Sequence, residues 1–138
     1  LSSDSIREEL YGDASNQSNP SKIFTLMNER TSKALAEGKS VIYDATNLIA
    51  ERRKLLVRAI HNKFPNCRCD CIRMVISTEE CIARQAYRAR KVPVAVITRQ
   101  ARQLEAPTYF EGWDRICFYV RDDEGYFDFY FDDDVIEG

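Results

Sequence analysis

Alternation between two hydrophobic periods constrains this chain more than any other feature. Segments with apolar residues at helical spacing are interleaved with short apolar runs of strand length. Ile23, Leu26, Met27, Thr31, Ala34 and Leu35 recur at helical steps, and Gly38 is placed to end that helix in the left-handed conformation. Val41-Ile42-Tyr43-Asp44 follows, a run of the kind that forms a buried parallel strand. Asn47 is positioned to cap the next helix, whose apolar positions are Leu55, Leu56, Ala59 and Ile60 and which Pro65-Asn66 breaks. Residues 69–76 read as a second strand. Thr78-Glu79-Glu80 then opens a helix running through Arg84 and Arg88, and Pro93 fits the first turn of another over residues 96–104. At the front, Ser5-x-x-Glu8 has capping-box spacing, and Gly12-Asp13 with polar residues 14–20 forms a loop. Helices between strands predict an α/β fold with a mainly parallel sheet. Residues 116–120 and 127–131 flank Asp122-Asp123-Glu124-Gly125, which predicts a C-terminal β-hairpin turning at Gly125. With 138 residues, no internal repeat and no linker, the chain reads as a single domain.

Composition narrows the class. The chain is 44% hydrophobic and 30% charged, with five Gly and four Pro, which excludes collagen-like, low-complexity and disordered classes. No apolar run approaches the ~18 residues of a spanning helix, so no membrane partner is expected. The start shows no basic-then-apolar leader, and the five cysteines read as reduced thiols, so the expected compartment is cytoplasmic. Cys67, Cys69 and Cys71 alternate with polar residues, so a strand would turn all three to one face. Three ligands in a row on one strand splay poorly for tetrahedral zinc, and His61 sits in a helix without a matching cysteine pair. The thiols are therefore read as small buried hydrophobes rather than ligands.

The net charge of -2 conceals a split. Residues 51–102 hold 13 Lys/Arg against four acids, whereas residues 111–138 hold ten acids against two arginines. A basic middle suits an anionic ligand such as phosphate or nucleic acid; solvated helix faces balanced by an acidic tail would give the same pattern.

In parallel α/β sheets ligands collect at the carboxyl ends of strands. Asp4, in Leu1-Ser2-Ser3-Asp4-Ser5-Ile6-Arg7, and Asp44, in Val41-Ile42-Tyr43-Asp44-Ala45-Thr46-Asn47, are both placed to close strands. Phosphate-transferring enzymes often hold magnesium with such an acid. The bland alternatives are a helix cap at Asp4 and a polar turn over residues 44–47. Arg84 and Arg88 stand one helical turn apart, ahead of Arg90-Lys91-Val92-Pro93. Such a pair can close over phosphates, or can simply be solvated.

In order and spacing these segments resemble one family. Ser-Ser-Asp-Ser-Ile-Arg, Val-Ile-Tyr-Asp-Ala-Thr-Asn-Leu with Glu51-Arg52-Arg53, the arginine segment ending in Val-Pro, Glu105-Ala-Pro-Thr and Glu111-Gly-Trp-Asp resemble the P-loop kinases related to the 5′-hydroxyl polynucleotide kinases, of the AAA-type ATPase/kinase family. The resemblance covers residues 1 to about 120. It implies a P-loop NTPase-like three-layer domain that uses ATP and Mg²⁺. Asp4 matches the acid that accepts the proton of the attacking hydroxyl, and Arg7 the arginine that contacts the acceptor's phosphate. Asp44 matches the second strand-end acid, which helps hold the magnesium, and Thr46-Asn47 follow it as substrate-side residues. Arg84 and Arg88 match lid arginines over the nucleotide phosphates, although relatives often carry one more residue before the Val-Pro.

One departure is large. The family's G-x-x-x-x-G-K-[ST] loop occurs nowhere in these residues. The expectation is a truncated domain lacking its first strand, loop and helix, which would lie some ~30 residues upstream. Such a piece is expected to be inactive alone and to self-associate through its exposed sheet. The expected activity of the parent is phosphate transfer from ATP to a hydroxyl, on a nucleic-acid end or a smaller acceptor. A small-molecule kinase and a non-catalytic phosphate-binding module are the rivals.

Overall fold

A computed structural model describes residues 1–121 and 127–131. The chain divides into two compact units, Leu1–Thr46 and Asn47–Gly138.

The first unit packs α1 (Ser3–Tyr11) against α2 (Pro20–Ala36). Ser2, in extended backbone, caps α1 by accepting the Ser5 N–H at 3.3 Å, so the helix starts earlier than the Ser5 spacing predicts. Glu8, the expected box partner, instead accepts from Ala14 N–H at 2.9 Å and closes the following loop. Gly12 and Gly38 end the two helices at φ 67° and 77°, as C-terminal glycines do. Ile6, Ile23 and Met27 are the core, with Phe24, Leu26 and Tyr43 packed on it. This is the stripe that the helical spacing singled out.

The expected strand at Val41-Ile42-Tyr43-Asp44 is reduced to one parallel bridge between Ser2 and Asp44. Asp44 N–H donates to Leu1 O at 2.8 Å, and Ser3 N–H donates to Asp44 O at 3.0 Å. Tyr43 lies on the core while Ile42 stands 82% exposed, so the run is covered on one face only. A buried parallel strand needs both faces covered and a ladder longer than one bridge. Among the described residues it has neither.

The second unit contains α3 (Ala50–Lys63), β1 (Asp70–Val75), α4 (Thr78–Arg84), α5 (Val94–Gln103), β2 (Arg115–Arg121) and β3 (Phe127–Phe131). The sheet order is β1-β2-β3. β1 and β2 are parallel in the register Asp70↔Arg115 to Val75↔Val120, with α4 and α5 in the crossover between them. β2 and β3 form the predicted antiparallel hairpin, from Cys117↔Phe131 to Arg121↔Phe127; its turn, with Gly125, lies outside the described residues. The result is the expected α/β architecture, with Val57, Ile97, Ile116 and Cys117 buried. No helix among the described residues is long and apolar enough to cross a membrane.

Three local expectations change in this unit. Asn47 does not cap α3. The cap is Ile49, and the Ala50 N–H donates to the Glu105 carboxylate at 3.1 Å, a partner 55 residues away. The helix opened by Thr78 ends at Arg84, giving way to a 3-10 turn at Gln85–Tyr87. There the Gln85 side chain donates to Cys81 O and accepts from Val92 N–H, both at 2.9 Å, and draws the chain out of the helix. Finally, Cys67 and Cys69 precede β1 rather than sharing its face with Cys71. Cys69 and Cys117 are buried as small hydrophobes should be, but Cys67, Cys71 and Cys81 are only half-buried, and all five thiols are free.

Candidate functional site

In the first unit the candidate residues converge at the head of α1. Asp4 sits in its first turn, where ionised acids are favoured, and Arg7 follows one turn later. Arg7 Nη1 donates to Asp4 Oδ1 at 3.2 Å, with the Arg7 side chain 9% exposed and that of Asp4 46%. Arg7 Nε is buried without a hydrogen-bond partner among the described residues. Asp44 joins through the backbone, because the Ser2–Asp44 bridge sets the two acid-bearing segments side by side. Asp44 and Thr46 are exposed. The cap reading of Asp4 does not hold, since Ser2 fills that position.

The remaining candidates belong to the second unit. Asn47 is exposed in the left-handed region at φ 48°. Arg84 donates to Glu80 at 3.3 Å, and Glu80 also receives Arg121. Arg88 is exposed and extended beyond the 3-10 turn, so Arg84 and Arg88 do not share a helical face as their spacing suggests.

Two motifs quoted for resemblance, and given no role there, turn out to be partners. Arg53 grips Glu111 through Nε at 2.6 Å and Nη2 at 3.1 Å, with side-chain exposures of 5% and 4%. Its other hydrogen bonds reach Asn47 O at 2.7 Å and Glu105 O at 2.8 Å. Glu111 also receives Trp113 Nε1 at 3.1 Å and Thr108 N–H at 2.9 Å. Burial works against ionisation of Glu111, but these donors outweigh it and hold its pKa below the usual carboxylate value. Gly112, at φ 104°, leaves room that a Cβ would take at 3.2 Å from Val57 Cγ1. One signal was available in the sequence: an arginine and a glutamate inside otherwise conspicuous motifs, without an assigned task. This network fixes the segment that follows Thr46.

Burial pushes the thiols of Cys69 and Cys71 up to about 12 and about 11, so neither is a thiolate nucleophile at neutral pH.

The donors present can be compared with what ATP and Mg²⁺ require. The exposed Asp44 carboxylate is a hard oxygen ligand of the kind Mg²⁺ takes, and the exposed Arg88 guanidinium suits phosphate. A glycine-rich phosphate cradle of the form G-x-x-x-x-G-K-[ST] does not occur in residues 1–138.

Comparison with curated proteins returned no match. Comparison with protein families matched a model described as an AAA domain over residues 1–107, which spans α1 through α5 and every candidate residue. The match covers well over half of the chain and agrees with the helix-connected parallel strands, so the chain belongs to the AAA domain family, whose fold is P-loop NTPase-like and whose character is nucleotide-binding and kinase-like.

Proposed function

We propose that this AAA domain serves an ATP-dependent kinase that phosphorylates a polynucleotide 5′-hydroxyl. The observation that carries the reading is the Asp4–Arg7 pair. A buried guanidinium whose Nε has no hydrogen-bond partner among the described residues stands beside a half-exposed carboxylate at a helix head. A fixed cation favours an acceptor that itself bears phosphate, as a nucleic-acid end does and most small alcohols do not. In this reading Arg7 orients the acceptor's phosphate, and Asp4 accepts the hydroxyl proton as the oxygen turns nucleophilic. Asp44 helps hold magnesium, Thr46 and Asn47 line the acceptor side, and Arg84 and Arg88 stabilise negative charge on the transferring group. When bound, Mg-ATP supplies the phosphoryl group and the metal's charge. The basic stretch over residues 51–102 supports a polyanionic partner.

The test compares transfer of labelled phosphate from Mg-ATP by the protein to a 5′-hydroxyl oligonucleotide and to a panel of nucleosides and sugars. Preference for the oligonucleotide supports the reading. Transfer only to small acceptors replaces it with a small-molecule kinase, and ATP-independent oligonucleotide binding without transfer replaces it with a binding module.

Self-association belongs to the same reading. Ile72 and Met74 stand 61% and 53% exposed on β1, and a second copy is the expected cover. Sedimentation should show mass rising with concentration, and a sharply monomeric boundary at high concentration would remove the idea.

A further inference from the structure

At the other end of the sheet, three metal-ligating side chains from three separate elements meet. His61 lies in the last turn of α3, Cys69 directly precedes β1, and Asp114 directly precedes β2. Because Asp70 pairs with Arg115, Cys69 and Asp114 are neighbours at the amino-terminal edge of the parallel pair. Phosphate chemistry gathers at the opposite, carboxyl-terminal edge. Each of the three offers a ligand atom within 4.8 Å of the other two. A tetrahedral zinc site with Zn–S near 2.3 Å and Zn–N or Zn–O near 2.0 Å has ligand-to-ligand edges of roughly 3.3–3.8 Å, so small side-chain adjustments suffice.

The cluster is also held firmly. Asp114 Oδ2 accepts from the Cys69 N–H at 2.7 Å and lies 3.0 Å from His61 Nε2, while Asp114 N–H donates to Cys69 O at 2.8 Å. A second thiol is at hand. Cys67 lies two residues before Cys69 with its thiol donating to Arg68 O at 3.7 Å, and the turn after α3 anchors it through Cys67 N–H to Phe64 O at 2.9 Å. A depression lined by Pro65, Asn66, Cys67, Arg68, Asp114 and Arg115 opens beside them to solvent, giving an ion a path in.

We propose that His61, Cys69 and Asp114, completed by Cys67, form a zinc-binding site. Two soft thiolates and a borderline imidazole, with one hard carboxylate, make a set that selects Zn²⁺ over Mg²⁺ or Ca²⁺. Each coordinating thiol gives its proton to solvent as the ion enters. The ion ties the end of α3 to the starts of β1 and β2, so its role is structural. The proposal does not depend on the kinase reading. It also reverses the expectation that these cysteines are only small hydrophobes, for the reason that folding delivers His61 and Asp114 to them.

The experiment loads the chelator-stripped 138-residue chain with Co²⁺ and then competes it with Zn²⁺. The expected result is one equivalent of Co²⁺ with the intense visible bands of tetrahedral cobalt and a thiolate-to-cobalt charge-transfer band, both lost on adding one equivalent of Zn²⁺. Cys69→Ser should remove most of the charge-transfer intensity, and His61→Gln should weaken Zn²⁺ binding by more than ~100-fold, exceeding the effect of losing an outer-sphere partner. If Cys69→Ser fails to fold, His61→Gln and Cys67→Ser carry the test, since both side chains are only half-buried. Weak octahedral cobalt spectra, sub-stoichiometric binding, or affinity unchanged in His61→Gln would each overturn the site.

Discussion

Two of the chain's arginine–carboxylate pairs, Arg53–Glu111 in the second unit and Arg7–Asp4 in the first, differ in completeness. Arg53 and Glu111 are both buried, bidentate, and supplied with further hydrogen bonds from Asn47, Glu105, Thr108 and Trp113. Arg7 Nη1 meets Asp4 Oδ1 at 3.2 Å, while Arg7 Nε is buried without a hydrogen-bond partner among the described residues and the carboxylate is half in solvent. A closed pair of the first kind holds structure, because an outside ligand would have to break bonds already made. An open pair of the second kind has bonding capacity left for a ligand. Completeness, more than burial or charge, separates scaffold from candidate site in this molecule.

Breaking the closed pair should have the largest effect. Arg53→Ala strands Glu111 as a buried, uncompensated charge, at a cost of about 3–5 kcal/mol in urea unfolding of the chain. A loss below about 1 kcal/mol would show that water replaces the guanidinium and that the pair is not closed. Arg88→Ala, which removes an exposed cation, should leave unfolding unchanged and lower kcat of the whole kinase by up to ~10³-fold, as loss of a phosphate-clamping arginine does. An unchanged kcat would reduce Arg88 to surface charge.

Asp4→Asn sharpens the comparison from the open side. The amide keeps the size of the side chain and can still accept from Arg7, but it cannot take a proton. Turnover should fall by ~10²-fold or more while the melting temperature stays near wild type. Equal turnover would confine Asp4 to helix-head electrostatics. The smallest effect is a pH dependence of the closed pair. Glu111 titrates lower in the folded chain than its unfolded reference near 4.3, so its contribution to stability is present above that pH and is lost as pH falls through the folded value. Glu111→Gln should flatten that part of the acid limb, and an identical limb in the variant would assign the loss to other carboxylates.

Much of the architecture was legible because it follows from local pattern. The Ile23–Met27 stripe, the Gly38 stop, the break at Pro65-Asn66 and the final hairpin all depend on residues within a few positions of one another. The misplacements share a different cause. Glu105 caps α3 from 55 residues away, Gln85 pulls Arg88 off its helix by reaching Val92, and Val41-Ile42-Tyr43-Asp44 forms only one bridge, at Asp44, because a strand exists only where a neighbour pairs with it. Among the site residues, a three-residue spacing on α1 was enough to unite Asp4 with Arg7, whereas the four-residue spacing of Arg84 and Arg88 failed because α4 ends at Arg84.

The sequence by itself determined the helix-and-strand alternation, the basic middle, and the order of motifs that matches an AAA domain, since each is a property of neighbours along the chain. Only the tertiary structure decided which charges close on one another. Arg53 meets Glu111 across 58 residues, and His61 and Cys69 meet Asp114 across 53 and 45, because α3 packs against the 3-10 turn at Tyr109–Glu111 ahead of β2 and parallel register sets the starts of β1 and β2 together. Pairing over such separations is fixed by the packing of whole elements, and no periodicity along the chain encodes it.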